Sequence, residues 1–287
     1  MGVKIKTNAK LNLTLNIEGM YDNKYHSLSS VVTSIDICDV VTITARQDKK
    51  VSVKVNGELD EGNTAFKVAN AVVERFNTDG VDIIVEKHVA AGGGMGGSSV
   101  DAAASLCGMR RLFGLNMDEQ MLEIASEFGS DIAYMIRGGL GVATGKGDNI
   151  MFVGSGKSFY FVVFTGERMS TKEVFAEYDR QPDNTRYDNE ALLAALARGD
   201  IMEARKLMGN NLQPAAFRLS PKLSKIIETC AKCGLPQPVL TGSGGNMFLL
   251  CRDIKEAQRF AAKMNANGIE SMVCASTDSG TEILEIS

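Results

Sequence analysis

The chain has 287 residues, 44% of them apolar and 23% charged, with a formal net charge of −4. That length can bury a substantial core, in one large domain or two smaller ones, and the composition is that of an ordinary soluble protein. Slight acidity gives no reason to expect a nucleic-acid partner, and no apolar run approaches the ~20 residues of a membrane span. Met1-Gly2-Val3-Lys4-Ile5-Lys6 lacks the apolar core of a signal peptide, so the expected location is cytoplasmic, away from any membrane.

In chain order, β-type apolar runs stand at 31–35, 40–44, 51–55 and 81–85, alternating with helical stretches. The last of these runs leads into Ala90-Ala91-Gly92-Gly93-Gly94-Met95-Gly96-Gly97-Ser98-Ser99-Val100-Asp101, with five glycines in six residues. Val100, Ala103, Ala104 and Cys107 then repeat at helical spacing. Ser98 with Asp101 fits a capping box at the start of that helix. Glycine allows close backbone approach, and a helix N-terminus offers free N–H groups and a positive dipole end. Together they read as a phosphate site, against the plainer reading of a ligand-free turn.

The loop is not a Walker A motif, because no lysine follows the glycines. Gly156-Lys157-Ser158 could end such a motif, but Met151 stands where its first glycine is needed. Gly92, Gly94 and Gly97 satisfy the dinucleotide pattern formally. That pattern needs a strand after the helix, whereas 118–128 is helical again, with Met121, Leu122, Ile124 and Ala125 as its apolar positions.

No proline precedes Pro182, and all five lie from there on. The second half opens with an apolar strand at 158–164. It continues with helices at 189–198, 201–208, 221–233 and 255–265, strands at 246–251, 271–275 and 283–286, and a polar surface loop at 180–186. The expected class is α+β in two parts, 1–155 and 156–287. Cys230 and Cys233 form a C-x-x-C, but no second close pair completes a zinc site and the only histidines are His26 and His88. Their expected role is packing on one helix face.

The glycine loop resembles the central motif of the GHMP small-molecule kinases. Further blocks extend the resemblance along the chain in the expected order: Ala9-Lys10-Leu11-Asn12-Leu13, Lys24-Tyr25-His26-Ser27-Leu28, and Asp36 through Ile43. Gly129-Ser130-Asp131-Ile132 with Gly138-Gly139 and Gly145-Lys146-Gly147-Asp148 resembles the catalytic-aspartate segment. Ser170-Thr171-Lys172-Glu173-Val174-Phe175 matches a further block, and Thr241-Gly242-Ser243-Gly244-Gly245-Asn246-Met247-Phe248 the C-terminal motif. Four positions depart from the pattern. Ala90 replaces a proline, Val100 stands where a second serine is usual, Asn210-Asn211-Leu212-Gln213 replaces a more acidic Asn-Asp-Leu-Glu type stretch, and Gly245-Asn246 replaces a proline-containing pair.

The resemblance implies a two-domain GHMP kinase fold, with a ribosomal-protein-like N-terminal sheet-and-helix domain, a C-terminal ferredoxin-like domain and a nucleotide cleft between them. It implies ATP and Mg²⁺ as cofactors, with Gly92, Gly93, Gly94, Met95, Gly96, Gly97, Ser98 and Ser99 around the phosphates and Ser99 as the metal contact. Asp131 becomes the base that accepts the hydroxyl proton, and Lys10 the group that stabilises that carboxylate or the transferring phosphoryl. The Lys10, Tyr25 and His26 region points within the family to an acceptor that is a cytidine-diphosphate-linked methylerythritol, phosphorylated on its 2-hydroxyl. Tyr25 and His26 would read the cytosine, Asn12 the erythritol, Phe175 the other face of the base, and Gly242 and Ser243 would cap the cleft. The enzyme would work as a monomer or homodimer. Two other readings stay open: a GHMP kinase for another small alcohol such as homoserine or mevalonate, and a nucleotide-binding regulator that has lost catalysis. Intact Lys10 and Asp131 speak against the second.

Overall fold

In a computed structural model, residues 1–22, 24–154 and 156–286 are described. The chain opens with three strands, β1 (Gly2–Asn12), β2 (Thr14–Met20) and the 20-residue β3 (His26–Ala45), followed by β4 (Val51–Val55) and β5 (Glu58–Leu59). Then come α1 (Thr64–Phe76), β6 (Val81–Glu86), α2 (Gly97–Phe113), α3 (Asp118–Phe128), α4 (Ser130–Arg137), β7 (Gly141–Gly145) and β8 (Asn149–Phe152). The second half holds β9 (Tyr160–Phe164), α5 (Thr171–Arg180), α6 (Asn189–Arg198), α7 (Ile201–Leu207), β10 (Gly209–Asn210), α8 (Gln213–Leu219) and α9 (Pro221–Lys232). It ends with β11 (Val239–Leu240), β12 (Met247–Cys251), α10 (Ile254–Ala266), β13 (Ser271–Thr277) and β14 (Thr281–Ile286).

The spine is β3. Its first half pairs antiparallel with β2 and β7, its second half with β6, and β1 runs beside it from Val32 to Thr44. The separate strands expected at 31–35 and 40–44 are therefore one. The polar interruption at Asp36-Ile37 is a bulge: Ala9 pairs with Ile35 and Asn8 with Cys38, which leaves two residues of β3 unpaired. Asp36 turns outward and accepts the Ala275 amide at 2.9 Å.

Helices α1, α2 and α4 cover one face of this sheet and bury Ile5, Ile43, Ile83, Leu106, Val72 and Ile132. A second core lies between β9, β12 and β13 and the helices α5, α8, α9 and α10, around Val162, Phe164, Leu249, Ile226, Phe260 and Met264. Cys230 belongs to it, with its thiol 3.8 Å from the Met264 sulfur, as expected for packing. The two sheets join where β13 pairs with β3 at Ser276–Ile35 and Thr277–Ser34. Strand β14 then returns to pair with β1. The boundary expected between 155 and 156 falls at Ser155, outside the described residues. No described helix is long and apolar enough to cross a membrane.

The helix after the glycine loop forms as expected, and α3 and α4 follow it without a strand, as the rejection of a dinucleotide fold requires. Its start differs. Gly96, at φ +80°, is the N-cap and no side chain caps the helix. The expected Ser98–Asp101 box is absent because Asp101 is fully buried. Its carboxylate is taken by Lys87 at 2.9 Å and Asn63 at 3.2 Å instead.

Candidate active site

A cleft of about 770 Å³ lies where the two cores meet. Strand β1 delivers Lys10 and Asn12 to its floor. Both side chains point to the same face because strand residues alternate. Lys10 is only 4% exposed, yet its Nζ is satisfied: it donates to Asn12 Oδ1 and lies 3.4 Å from Asp131 Oδ2. Asn12 is itself fixed. Its Nδ2 donates to Ser30 Oγ at 2.8 Å and its amide to Thr241 Oγ1 at 3.1 Å. Asp131 sits in the first turn of α4, where the helix dipole favours a negative charge, and its side chain is 39% exposed to the cleft. A half-open carboxylate beside a buried ammonium can accept a proton from a hydroxyl while the cation steadies the charge that develops.

The glycine loop forms the adjoining wall. It is held from behind by the C-terminal turn 241–246. Thr241 Oγ1 donates to the Gly94 carbonyl at 3.1 Å, and the Asn246 amide to the Gly93 carbonyl at 3.1 Å. Contact is so close that a Cβ on Gly94, at φ +77°, would lie 2.0 Å from the Thr241 carbonyl oxygen. Gly92, Gly94, Gly96, Gly97, Ser98 and Ser99 line the cleft, with the uncapped first turn of α2 among them. An uncapped helix start leaves amide donors and positive dipole for an anion. Gly93 and Met95 do not line it. Gly93 faces Asn246, and Met95 is buried in the core while its carbonyl accepts the Lys10 amide at 3.2 Å. Both shape the loop rather than the cleft surface.

At the far end stand Tyr25, His26 and Phe175. Phe175 stacks directly on the His26 ring, with centroids 4.7 Å apart and planes at 30°. His26 Nε2 lies 2.7 Å from Asp179 Oδ1. Tyr25 is 62% exposed, and Lys146 Nζ sits 4.9 Å over its ring. Gly242 and Ser243 close the cleft from the second half, where Ser243 Oγ is 2.8 Å from Thr171 Oγ1.

Three features escaped the sequence reading. Lysines 24, 146 and 172 also line the cleft and make it cationic for a phosphate-bearing ligand. Lys87 bridges two fully buried carboxylates, Asp39 at 2.7 Å and Asp101 at 2.9 Å, and donates to the carbonyl of Gly97 at the start of α2. Burial pushes the Asp101 carboxyl up from 3.8 to about 6, against the pull of Lys87. Asp179 is the third. Its only local signal is its place four residues after Phe175, one helical turn on.

The model of the GHMP kinases N terminal domain matches residues 63–147, and that of the GHMP kinases C terminal matches 192–270. The chain belongs to the GHMP kinase family. A relative from Macrococcus caseolyticus (strain JCSC5402), a 4-diphosphocytidyl-2-C-methyl-D-erythritol kinase, is 32% identical over 256 residues, covering 87% of this chain and 90% of the relative. One of the same name from Thermobifida fusca (strain YX) is 34% identical over 292 residues, covering 96% and 94%. A crystal structure of 4-(cytidine 5'-diphospho)-2C-methyl-D-erythritol kinase superposes with a TM-score of 0.80 at 26% identity, covering 95% of this chain and 98% of the other. The architecture described above is thus the two-domain GHMP kinase fold, and the cleft between its cores is where the Lys10–Asp131 pair, the glycine loop and the aromatic cluster converge.

Proposed function

We propose that this GHMP kinase transfers the γ-phosphoryl of ATP to the 2-hydroxyl of 4-diphosphocytidyl-2-C-methyl-D-erythritol, in the non-mevalonate isoprenoid pathway and in the cytoplasm. The observation that carries the reading is one cleft holding the Lys10–Asp131 pair at 3.4 Å, the open start of α2 and the Tyr25–His26–Phe175 cluster. Asp131 accepts the proton of the attacking hydroxyl. Lys10 stabilises charge on that oxygen and on the phosphoryl in transfer. Asn12, held by Ser30 and Thr241, positions the erythritol hydroxyls. The amides of Gly94, Gly96, Gly97 and Ser98 hold the donor phosphates.

Mg²⁺ fits this site. It keeps several waters and needs few protein ligands beside substrate phosphates. Ser99 lines the cleft and its Oγ lies 3.8 Å from the position a Cβ would take on Gly129, in the segment that carries Asp131. The ion would supply neutralisation of phosphate charge. Tyr25 and Phe175 supply aromatic faces for the cytosine, His26 an edge contact, and Lys24 and Lys146 cationic partners for the diphosphate. The division into two domains is placed at 155/156.

A screen of ADP release with cytidine-diphosphate-linked methylerythritol, homoserine, mevalonate and galactose tests the assignment. Turnover is expected with the first alone. Turnover with homoserine or mevalonate and none with the cytidine-linked alcohol overturns it in favour of another alcohol kinase. ATP binding without turnover on any acceptor favours the regulator.

A further inference from the structure

His26 is held from three sides by one helix. Phe175, Tyr178 and Asp179 stand at i, i+3 and i+4 of α5 and so share a face. Phe175 covers a face of the imidazole at 4.7 Å, Tyr178 meets its edge at 6.0 Å, and Asp179 Oδ1 lies 2.7 Å from Nε2. An ionised carboxylate only accepts hydrogen bonds, so the hydrogen between Asp179 and His26 belongs to Nε2. In the neutral ring that leaves Nδ1 bare. Among the described residues Nδ1 has no hydrogen-bond partner, so it is the ring atom that can meet a ligand in the cleft, and it can only accept.

We propose that Asp179 is a specificity-determining residue, which by fixing the orientation and tautomer of His26 makes the site read an exocyclic amino group in preference to a keto oxygen. Cytosine presents an amino donor at the position where uracil presents an oxygen acceptor, so the arrangement favours the aminopyrimidine. The inference rests on the reading that the acceptor carries a cytidine.

Geometry gives Asp179 little other work. Its side chain is 51% exposed, and an ion pair so open to water adds little to stability. It belongs to α5 at a solvent-facing position rather than to either core, so variants at 179 are expected to fold.

The test compares cytidine- and uridine-diphosphate-linked methylerythritol as acceptors for the wild-type enzyme, Asp179→Asn and Asp179→Ala, reading kcat and KM for each acceptor and KM for ATP. In wild type the cytidine acceptor is expected to lead. In Asp179→Ala the ratio of the two kcat/KM values should fall by roughly tenfold or more, since a mismatched buried donor or acceptor carries that much. The loss should lie mainly in the KM of the cytidine acceptor, with KM for ATP unmoved. Asparagine keeps an acceptor oxygen at the same reach, so Asp179→Asn should fall between. A purely structural role would lower both acceptors together and leave the ratio unchanged, which overturns the proposal.

A second measurement does not depend on turnover. The chain has two histidines, His26 and His88, so a ¹⁵N-histidine spectrum holds two rings, told apart by His88→Gln. The neutral His26 ring is expected to carry its proton on Nε2. A neutral ring with its proton on Nδ1 overturns the proposal. Wild-type enzyme inactive on the cytidine acceptor overturns the functional reading as well. Activity with an unchanged ratio in Asp179→Ala overturns this inference alone.

Discussion

Replacing Gly94 by alanine adds a single methyl group where the glycine loop meets the C-terminal turn. Its Cβ would lie 2.0 Å from the Thr241 carbonyl oxygen and 3.0 Å from that of Gly244. Both obstacles are backbone, so no side chain can swing aside. The loop must retreat by ~1.4 Å, the difference between 2.0 Å and the 3.4 Å at which ordinary contact begins. That retreat breaks the hydrogen bonds from Thr241 Oγ1 to Gly94 and from the Asn246 amide to Gly93. Two such bonds are worth about 2 kcal/mol, and an alanine at φ +77° costs about 1–2 kcal/mol more. A loss of about 3–4 kcal/mol is within what a domain stable by ~5–15 kcal/mol survives. Phosphate amides displaced by more than an ångström do not keep their contacts, and losing one charge-assisted hydrogen bond of about 1.5–3 kcal/mol lowers affinity roughly 10- to 100-fold. Titration calorimetry with ATP, beside thermal unfolding, reads both effects. Gly114→Ala is the control: Gly114 also has a positive φ of +61°, at the far end of α2, but nothing lies within 4 Å of its Cβ position. It should share the strain and keep the ATP affinity. A folded Gly94→Ala enzyme that binds ATP as tightly as wild type refutes the placement of the phosphates.

Asp131→Asn should leave ATP affinity nearly intact and lower kcat by roughly 10²-fold or more, the scale of a lost general base; near-normal turnover at saturating substrate removes Asp131 from the mechanism. Tyr25→Ala should raise the KM of the cytidine-linked acceptor by roughly one to two decades, since base stacking is worth ~1–3 kcal/mol, and leave the KM for ATP alone. Equal effects on both substrates would argue against a base-reading role. Asp101→Asn keeps the Lys87–Asp39 pair but removes a carboxyl whose folded value is raised from 3.8 to about 6. A raised acid binds its proton more tightly when folded, so this group adds stability as pH falls from about 6 toward 3.8 and costs stability above that window. Chemical denaturation across that range should show wild type gaining on the variant as the solution is acidified; a pH-independent difference contradicts the assignment.

What was legible in the sequence is what is local. Five glycines, two serines and the helix after them specify the loop within a dozen residues. Helices 118–128 and 189–198 match α3 and α6 residue for residue, because their apolar periodicity lies within the segment, and Asp188 caps the second. Strand β1 was not read as a strand. Thr7, Asn8, Lys10 and Asn12 are buried polar residues, and their burial follows from contacts with β3, Ser279 and Thr241 that no window of β1 contains. The bulge at Asp36-Ile37 hid the unity of β3 in the same way, since a polar interruption and a turn look alike in one dimension. At the site, Lys10, Asn12 and Asp131 were named through family resemblance and the structure brings them together. Lys87 with Asp39 and Asp101, and His26 with Asp179, join segments separated by up to 153 residues, and no local pattern marks them.

Two of the positions that depart from the family's usual pattern, Asn211 and Asn246, fall where the two halves touch: Asn211 Oδ1 accepts the Ile17 amide at 2.8 Å. Asn246 stands where a proline-containing pair is usual. Its amide donates to Gly93 and its Oδ1 accepts the Gly166 amide at 3.2 Å. The Asn246 amide thus makes one of the hydrogen bonds by which the turn holds the glycine loop. Asn210 donates from Nδ2 to the carbonyls of Leu240 at 2.9 Å and Gly242 at 2.8 Å. It thereby braces the same turn from the other side. Asn211, where the pattern is usually acidic, donates from Nδ2 to the Thr185 carbonyl at 2.8 Å, a bond that a carboxylate could not make. The turn 241–246 is therefore held by amide side chains of this chain. Through Thr241 it touches the donor loop, and through Ser243 it touches Thr171 at the start of α5, which carries Phe175 and Asp179. Donor loop and acceptor helix therefore share one support, reached from each by a side-chain hydrogen bond.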